Sequence, residues 1–392
     1  MKNKVTQAKS TPLMPHLMAV IIMSIFQPAC IDKSIRASLE TTAQPTTTIF
    51  GGHTATLLKN NLIIYADEHR VQIYKVSNNS SRSLDPTPIT ASRGHVATLL
   101  SDGSVFFSGG ITRSSGQCIL RKENWIYEPR TNAWRQSGAL RHPRGGHTAT
   151  LLPDNDSILI VGGSSASCEG YGEENGISKA EICRLSTGEC HVVAEVEHCR
   201  VFHTTVSLPN NDILIIGGYS PDGHGYYPKP ERYQPRRNQF DSLSTPDVRG
   251  TGATASLFND NSVLIVGSDG NNYSAASLYD SFTAKWIDVS DMRLPIGEHA
   301  ATVISSNLVL LTGGWLSLHF QDENSRISRS GWVFDKNIRS WHQANSLDQP
   351  RRSHSVIMVS PNNLIIAGGY GESWNIISSI ARYKLGIKSQ AK

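Results

Sequence analysis

The sequence predicts an all-β ring: a seven-bladed β-propeller of four-stranded antiparallel blades. Three observations predict it. One unit recurs seven times along most of the 392 residues. Each well-formed copy ends an apolar run on Gly-Gly, and most copies then carry two aromatics seven residues apart. A unit of this length cannot bury both its faces alone, so neighbouring copies must supply the core.

The clearest copy opens at Arg144 and reads RGGHTATLLPDNDSILIVGG. Others open at Arg93, Arg200, Arg249, Glu298 and Arg351, and a degenerate first copy opens at Gly51. A histidine position recurs at His53, His95, His147, His203, Gly252, His299 and His354. The spacings, 42 to 56 residues, suit propeller blades.

Within a unit the elements are readable. His147 to Leu152 is β-prone, and Pro153-Asp154-Asn155-Asp156 is a turn. Ile158 to Val161 is a continuous apolar run, as expected of a strand covered on both faces. Gly162-Gly163 ends it, where positive φ or close backbone approach is needed. A variable loop follows, then a second hairpin with the aromatic pair: Tyr127 and Trp134, Tyr233 and Phe240, Tyr279 and Trp286, Phe334 and Trp341. Blade five departs with Gly267-Ser268, and blade one has neither Gly-Gly nor Trp.

Five Gly-Gly pairs in register with four aromatic pairs resemble the kelch repeat, of the type found in the central domain of galactose oxidase. The resemblance covers about residues 50–385. It implies a ring that must close, because an open ring leaves an exposed strand edge. The last unit stops after its third strand at Tyr383-Lys384-Leu385. Residues around Thr46 to Phe50 are expected to supply the missing outer strand. The expected organisation is 1–29 signal peptide, 30–45 linker, 46–386 propeller and 387–392 tail.

The N-terminus reads as an export signal. Lys2, Lys4 and Lys9 form a basic segment, and Leu17 to Phe26 is an uncharged apolar run too short to span a bilayer. Gln27-Pro28-Ala29-Cys30 resembles the lipobox of bacterial lipoproteins, with Gln27 where that family favours Leu. The resemblance implies acylation of Cys30. Ile31 in place of Asp implies the outer membrane of a Gram-negative cell, facing the periplasm or the surface. An ordinary cleaved signal is the alternative. Loss of residues 1–29 leaves 34 basic against 33 acidic residues, so no strong field favours nucleic acid.

Six cysteines stand at 30, 118, 168, 183, 190 and 199. Cys183 and Cys190 occupy the aromatic-pair positions of blade three, so a cross-hairpin disulfide is expected, with two buried thiols as the alternative. Cys118 and Cys168 lie in the loops after Gly-Gly of neighbouring blades, where a weaker case for a bridge exists. No Cys or His spacing suggests zinc.

In an antiparallel blade, the start of strand one and the end of strand two share one face. That face receives Arg144, Arg200, Arg249 and Arg351, each three residues before the histidine position. It also receives the loops 111–124, 164–178, 219–230, 315–330 and 370–378, with Tyr227, Trp315 and Trp374 among their aromatics. Arginines and aromatics on loops over a rigid scaffold suit a carboxylate-bearing peptide or a glycan. Recurrence at a fixed repeat position equally suits a scaffold role. No cofactor, metal site or catalytic residue is expected, and a monomeric, non-catalytic binding or scaffold protein of the cell envelope is the leading expectation. A sugar-handling enzyme is the alternative, since kelch-type isomerases of sialic acid use Arg and Glu, and Glu231 lies on this face. The crosslinked Cys–Tyr of kelch-type copper oxidases finds no matching motif.

Overall fold

The computed structural model describes residues 35–40, 52–89, 92–114, 117–165, 175–220, 229–244, 249–268, 274–289, 297–316 and 327–387. They form seven four-stranded antiparallel sheets and one small three-stranded sheet. Each blade runs outward from strand one to strand four. In blade three these are Thr148–Leu151, Ser157–Val161, Lys179–Arg184 and Cys190–Glu195.

The seven first strands close a ring. Thr54–Leu58, Val96–Leu99, Thr148–Leu151, Thr204–Ser207, Arg249–Leu257, Ala300–Val303 and Ser355–Ser360 each touch the next, and the last touches the first. Second strands such as Ile213–Ile216 are buried at every position, which explains their unbroken apolar sequence. Seven hydrophobic clusters fill the seven gaps between blades. Leu159 and Val161 of blade three meet Ile213, Ile215 and Tyr233 of blade four, and Ile63 and Tyr65 of blade one meet Ile365 and Ala367 of blade seven. No blade holds a core of its own.

The aromatic pairs face each other across the outer hairpin. Tyr127 is opposite Trp134, Tyr233 opposite Phe240, Tyr279 opposite Trp286 and Phe334 opposite Trp341, with ring centroids 4.8–5.0 Å apart. In blade three Cys183 is opposite Cys190 and the two form a disulfide. Cys118 is also disulfide-bonded, to a partner outside the described residues, where Cys168 lies. Cys199 forms no disulfide.

Three expectations are corrected. The outer edge of blade seven is taken by Ile35–Glu40, from Ile35 opposite Ile387 to Glu40 opposite Arg382. Residues 46–50 lie outside the described residues, and the strand comes from the stretch read as a linker. Its register puts Leu39 opposite Tyr383, the slot that Trp or Phe fills elsewhere. Second, the histidine position of blade five is Ala253, not Gly252. Thr254 lies opposite Val266 as Thr204 lies opposite Ile216, and an irregularity between Arg249 and Thr254 shifts the count by one. Arg249 is therefore not the equivalent of Arg144. Third, residues 111–120 are not irregular loop. Ile111–Ser114 pairs with Gln117–Leu120 and with Ser92–Arg93 in the small sheet.

Candidate functional site

The face that carries the Gly-Gly ends is built from an inner ring outward. The residue before each histidine position has a left-handed backbone: Gly52, Gly94, Gly146, Phe202, Gly252, Glu298 and Ser353, with φ from 49° to 73°. Successive members bond across blades, with the Gly146 N–H donating to the Gly94 carbonyl at 2.9 Å and the Phe202 N–H to the Gly146 carbonyl at 3.0 Å. Each histidine then turns back to the neighbouring blade. Nε2 of His95, His147, His203, His299 and His354 meets Thr54, Ser108, Thr148, Thr254 and Thr312 hydroxyls at 2.8–2.9 Å, and His53 meets Ser355 at 3.0 Å. Blade five presents Ala253, so its boundary with blade four lacks this bond. Burial drives His147 down to about 3 and His299 to about 4, with His203 and His354 also well below the usual range. These are neutral structural rings.

The arginines resolve in the same way. Arg144 is wholly buried and donates to Glu181 at 2.5 Å, to the Gly162 carbonyl at 2.8 Å and to the Lys179 carbonyl at 3.1 Å. Arg200 pairs with Glu231 and the Lys229 carbonyl. Arg351 pairs with Asp348 at 2.8 Å and Ser379 at 3.2 Å. None of the three presents its guanidinium to solvent. Burial alone would raise Glu181. Arg144 and the backbone N–H groups of Arg141 and His142 outweigh it, so the carboxyl stays below its ordinary value. For Glu231 burial wins over Arg200, and the carboxyl is raised. The Arg144 and Arg200 pairs fix incoming chain to strand three, and the Arg351 pair is made within the incoming segment, scaffold tasks alike. The Gly-Gly pair belongs to the same device: the Gly163 N–H donates to the Arg200 carbonyl at 2.8 Å, and a Cβ on Gly162 would lie 2.4 Å from that oxygen.

One group on this face is not repeated. Trp315 of blade six and Trp374 of blade seven meet edge to face at 67° around Arg352, whose guanidinium carbon lies 4.1 Å and 3.9 Å from the two ring centroids, with Tyr370 at 5.4 Å. Arg352 is buried and bonds Glu298 at 2.5 Å. Such stacking on a desolvated guanidinium is worth about 2 kcal/mol. Trp374 remains 59% exposed. It sits on the exposed loop Glu372 to Ile376, with Ser373 and Trp374 both left-handed at φ 54° and 61°. A bulky residue at positive φ is a strained placement that needs outside support. The stacked Arg352 supplies it. Beside the loop runs a groove of about 390 Å³ lined by Gln349, Pro350, Gly371, Glu372, Asn375, Ile376, Ile377, Ser378 and Ser379.

The sequence singled out Trp315 and Trp374, and the structure brings them together. It missed Arg352, Tyr370 and Glu298, although the doubled Arg351-Arg352 was a signal, because only one of the two can hold the repeat position. Tyr227 and Cys30 lie outside the described residues, as does the side chain of Arg249. The group Glu181, Cys183 and Cys190 has metal-like spacing, but its sulfurs are joined and its carboxylate is paired with Arg144.

No family model matches the chain. Among curated proteins it is similar to the Kelch-like protein terF of Aspergillus terreus, 22% identical over 258 residues, 64% of this chain and 55% of that protein. Beta-scruin of Limulus polyphemus is 24% identical over 339 residues, 83% of this chain and 36% of that protein. Human Kelch-like protein 15 is 25% identical over 162 residues, 38% of this chain and 26% of that protein. The chain spans about half or less of the length of these relatives. Similarity and blade pattern together support a propeller of kelch-type repeats.

Proposed function

We propose that the chain is a non-catalytic, protein-binding propeller that recognises its partner with the Gly-Gly face, centred on the blade-seven loop 370–377. One observation carries the reading: the repeated arginines and carboxylates are spent inside the scaffold, while Trp374, the non-repeated aromatic, is held out over Arg352. A rigid exposed indole flanked by Ile376 and a polar rim has the composition of an interface hot spot. The polar groove beside the loop supports a second reading, in which the occupant is a glycan. Acylation of Cys30 would place the propeller at the outer membrane.

A photo-crosslinking residue at position 376 is the test. The reading expects a discrete crosslinked partner, whose binding to the purified chain falls at least about tenfold in Trp374→Ser while the variant still unfolds cooperatively. A partner that binds Trp374→Ser as well as the parent chain overturns it. Capture of a glycan alone favours the second reading.

A further inference from the structure

The face opposite the loop face has its own chemistry. Each blade puts there the turn between strands one and two and the turn between strands three and four. In blades five and six the outer turns carry the two most exposed large apolar side chains among the described residues, Phe282 at 77% and Ile338 at 61%. Both turns are placed by register: Asp280, just before Phe282, is opposite Ser262, and Asp335, just before the second turn, is opposite Leu308. Ser262 and Leu308 open their second strands at the end remote from Gly-Gly. Exposed Lys285 and Arg339 follow the two apolar residues, and the outer turns of blades two and four carry exposed Arg130, Arg236 and Arg237. Carboxylates of the inner turns on this face are engaged locally: Asp102 accepts from Ser104, Asp154 from Ser157 and Asp260 from Ser262.

The closing strand enters at this same face. Asn363, which opens strand two of blade seven, is opposite Lys384, and Ile35 is opposite Ile387, three residues further from the Gly-Gly end. Only residues 31–34 separate Cys30 from Ile35. Fully extended, that stretch reaches about 17 Å. An acyl chain on Cys30 would therefore hold Ile35, at the edge of the turn face, within about 17 Å of the bilayer interface.

We infer that the turn face is a membrane-docking surface: Phe282 and Ile338 enter the headgroup region, Lys285 and Arg339 meet lipid phosphates, and the Trp374 face points away from the bilayer. The orientation rests on acylation of Cys30, and the surface itself on the exposed turns.

The test uses the full chain, extracted from a Gram-negative host and placed in nanodiscs of phosphatidylethanolamine and phosphatidylglycerol. Hydrogen exchange by mass spectrometry is compared with the chain in detergent. Slower exchange is expected at 281–285 and 336–340, and none of this protection at 371–377. The double variant Phe282→Ser, Ile338→Ser should lose that protection and partition to vesicles of the same lipids about tenfold less. Equal exchange at the two turns, protection at 371–377 instead, or failure to associate with the discs overturns the inference. Mass spectrometry of Cys30 reads the acylation separately: an unmodified Cys30 with protected turns removes the anchor and keeps the surface, and an acylated Cys30 with unprotected turns does the reverse.

Discussion

Blades three and four differ from blade five in how they hold their inner ends. Blades three and four both have a histidine bonded to a hydroxyl of the preceding blade and a buried arginine paired with Glu181 or Glu231, and in blade three the Gly-Gly pair also sits under the Arg200 carbonyl of the next blade. Blade five has Ala253, Ser277 where the glutamate stands, and Gly267-Ser268. Its hydrophobic joints are nonetheless complete, since Val263 and Ile265 pack on Leu214 and Ile216, and Phe258 and Leu264 on Val309 and Leu311. Apolar burial alone closes a propeller joint, then. The polar device adds fixed position to the inner ends, and blades four and five meet without its histidine.

Acidity should break the latched joints first and produces the largest effect. Four histidines titrate near 6.5 when unfolded but, in the fold, only near 3–4 or well below the usual range. Between those limits the unfolded chain binds more protons, so stability falls as pH drops and is flat above about pH 6.5. Each histidine contributes a slope of about 1.4 kcal/mol per pH unit, so four together give roughly 5.6. Acid unfolding near pH 5 should take up about four protons. An uptake of one or none would refute the assignment of these rings as neutral latches.

Second in size is the buried ion pair. Glu181→Ala strands Arg144 without its carboxylate and should cost about 3–5 kcal/mol. Ser277→Ala, at the same place in blade five, should cost about 1 kcal/mol or less. Urea titration of the two variants measures the contrast, and equal losses would show that the ion pair is not what distinguishes the blades. Backbone crowding gives the next step. Gly162→Ala forces a Cβ against the Arg200 carbonyl at φ 65° and should cost at least about 2 kcal/mol. Gly267 continues an extended strand, and Gly267→Ala should stay under about 1 kcal/mol.

Much of this contrast could be read from the sequence, and the exceptions have physical causes. Gly-Gly, the aromatic pairs and the cysteine substitution are local and periodic, so they fixed the blades and the 183–190 bridge. The place of Ala253 was misjudged because a one-residue irregularity in strand one does not show in letter spacing. The closing strand was placed some ten residues too late because β-pairing at an edge depends on register, which a short polar segment barely encodes. The arginines were ambiguous for another reason. A guanidinium looks the same in sequence whether it meets a ligand or Glu181, and only burial separates the two. The Arg352 cage joins residues from two blades at non-repeated positions, which no periodicity reveals.

The smallest predicted effect isolates the latch itself. Thr148 of blade three, half-buried, holds the buried His203 of blade four at 2.8 Å. Thr148→Val keeps the shape, removes the hydroxyl and leaves a buried imidazole nitrogen without that partner, which should cost about 1–2 kcal/mol. Thr204 of blade four holds the same position but faces Ala253. Thr204→Val should therefore change stability by no more than about 0.5 kcal/mol. The two substitutions share chemistry, strand position and near-equal burial, so their difference is the hydrogen bond and little else. If Thr204→Val is as damaging as Thr148→Val, the hydroxyl acts within its own strand, and the joint between blades four and five is no looser than the rest.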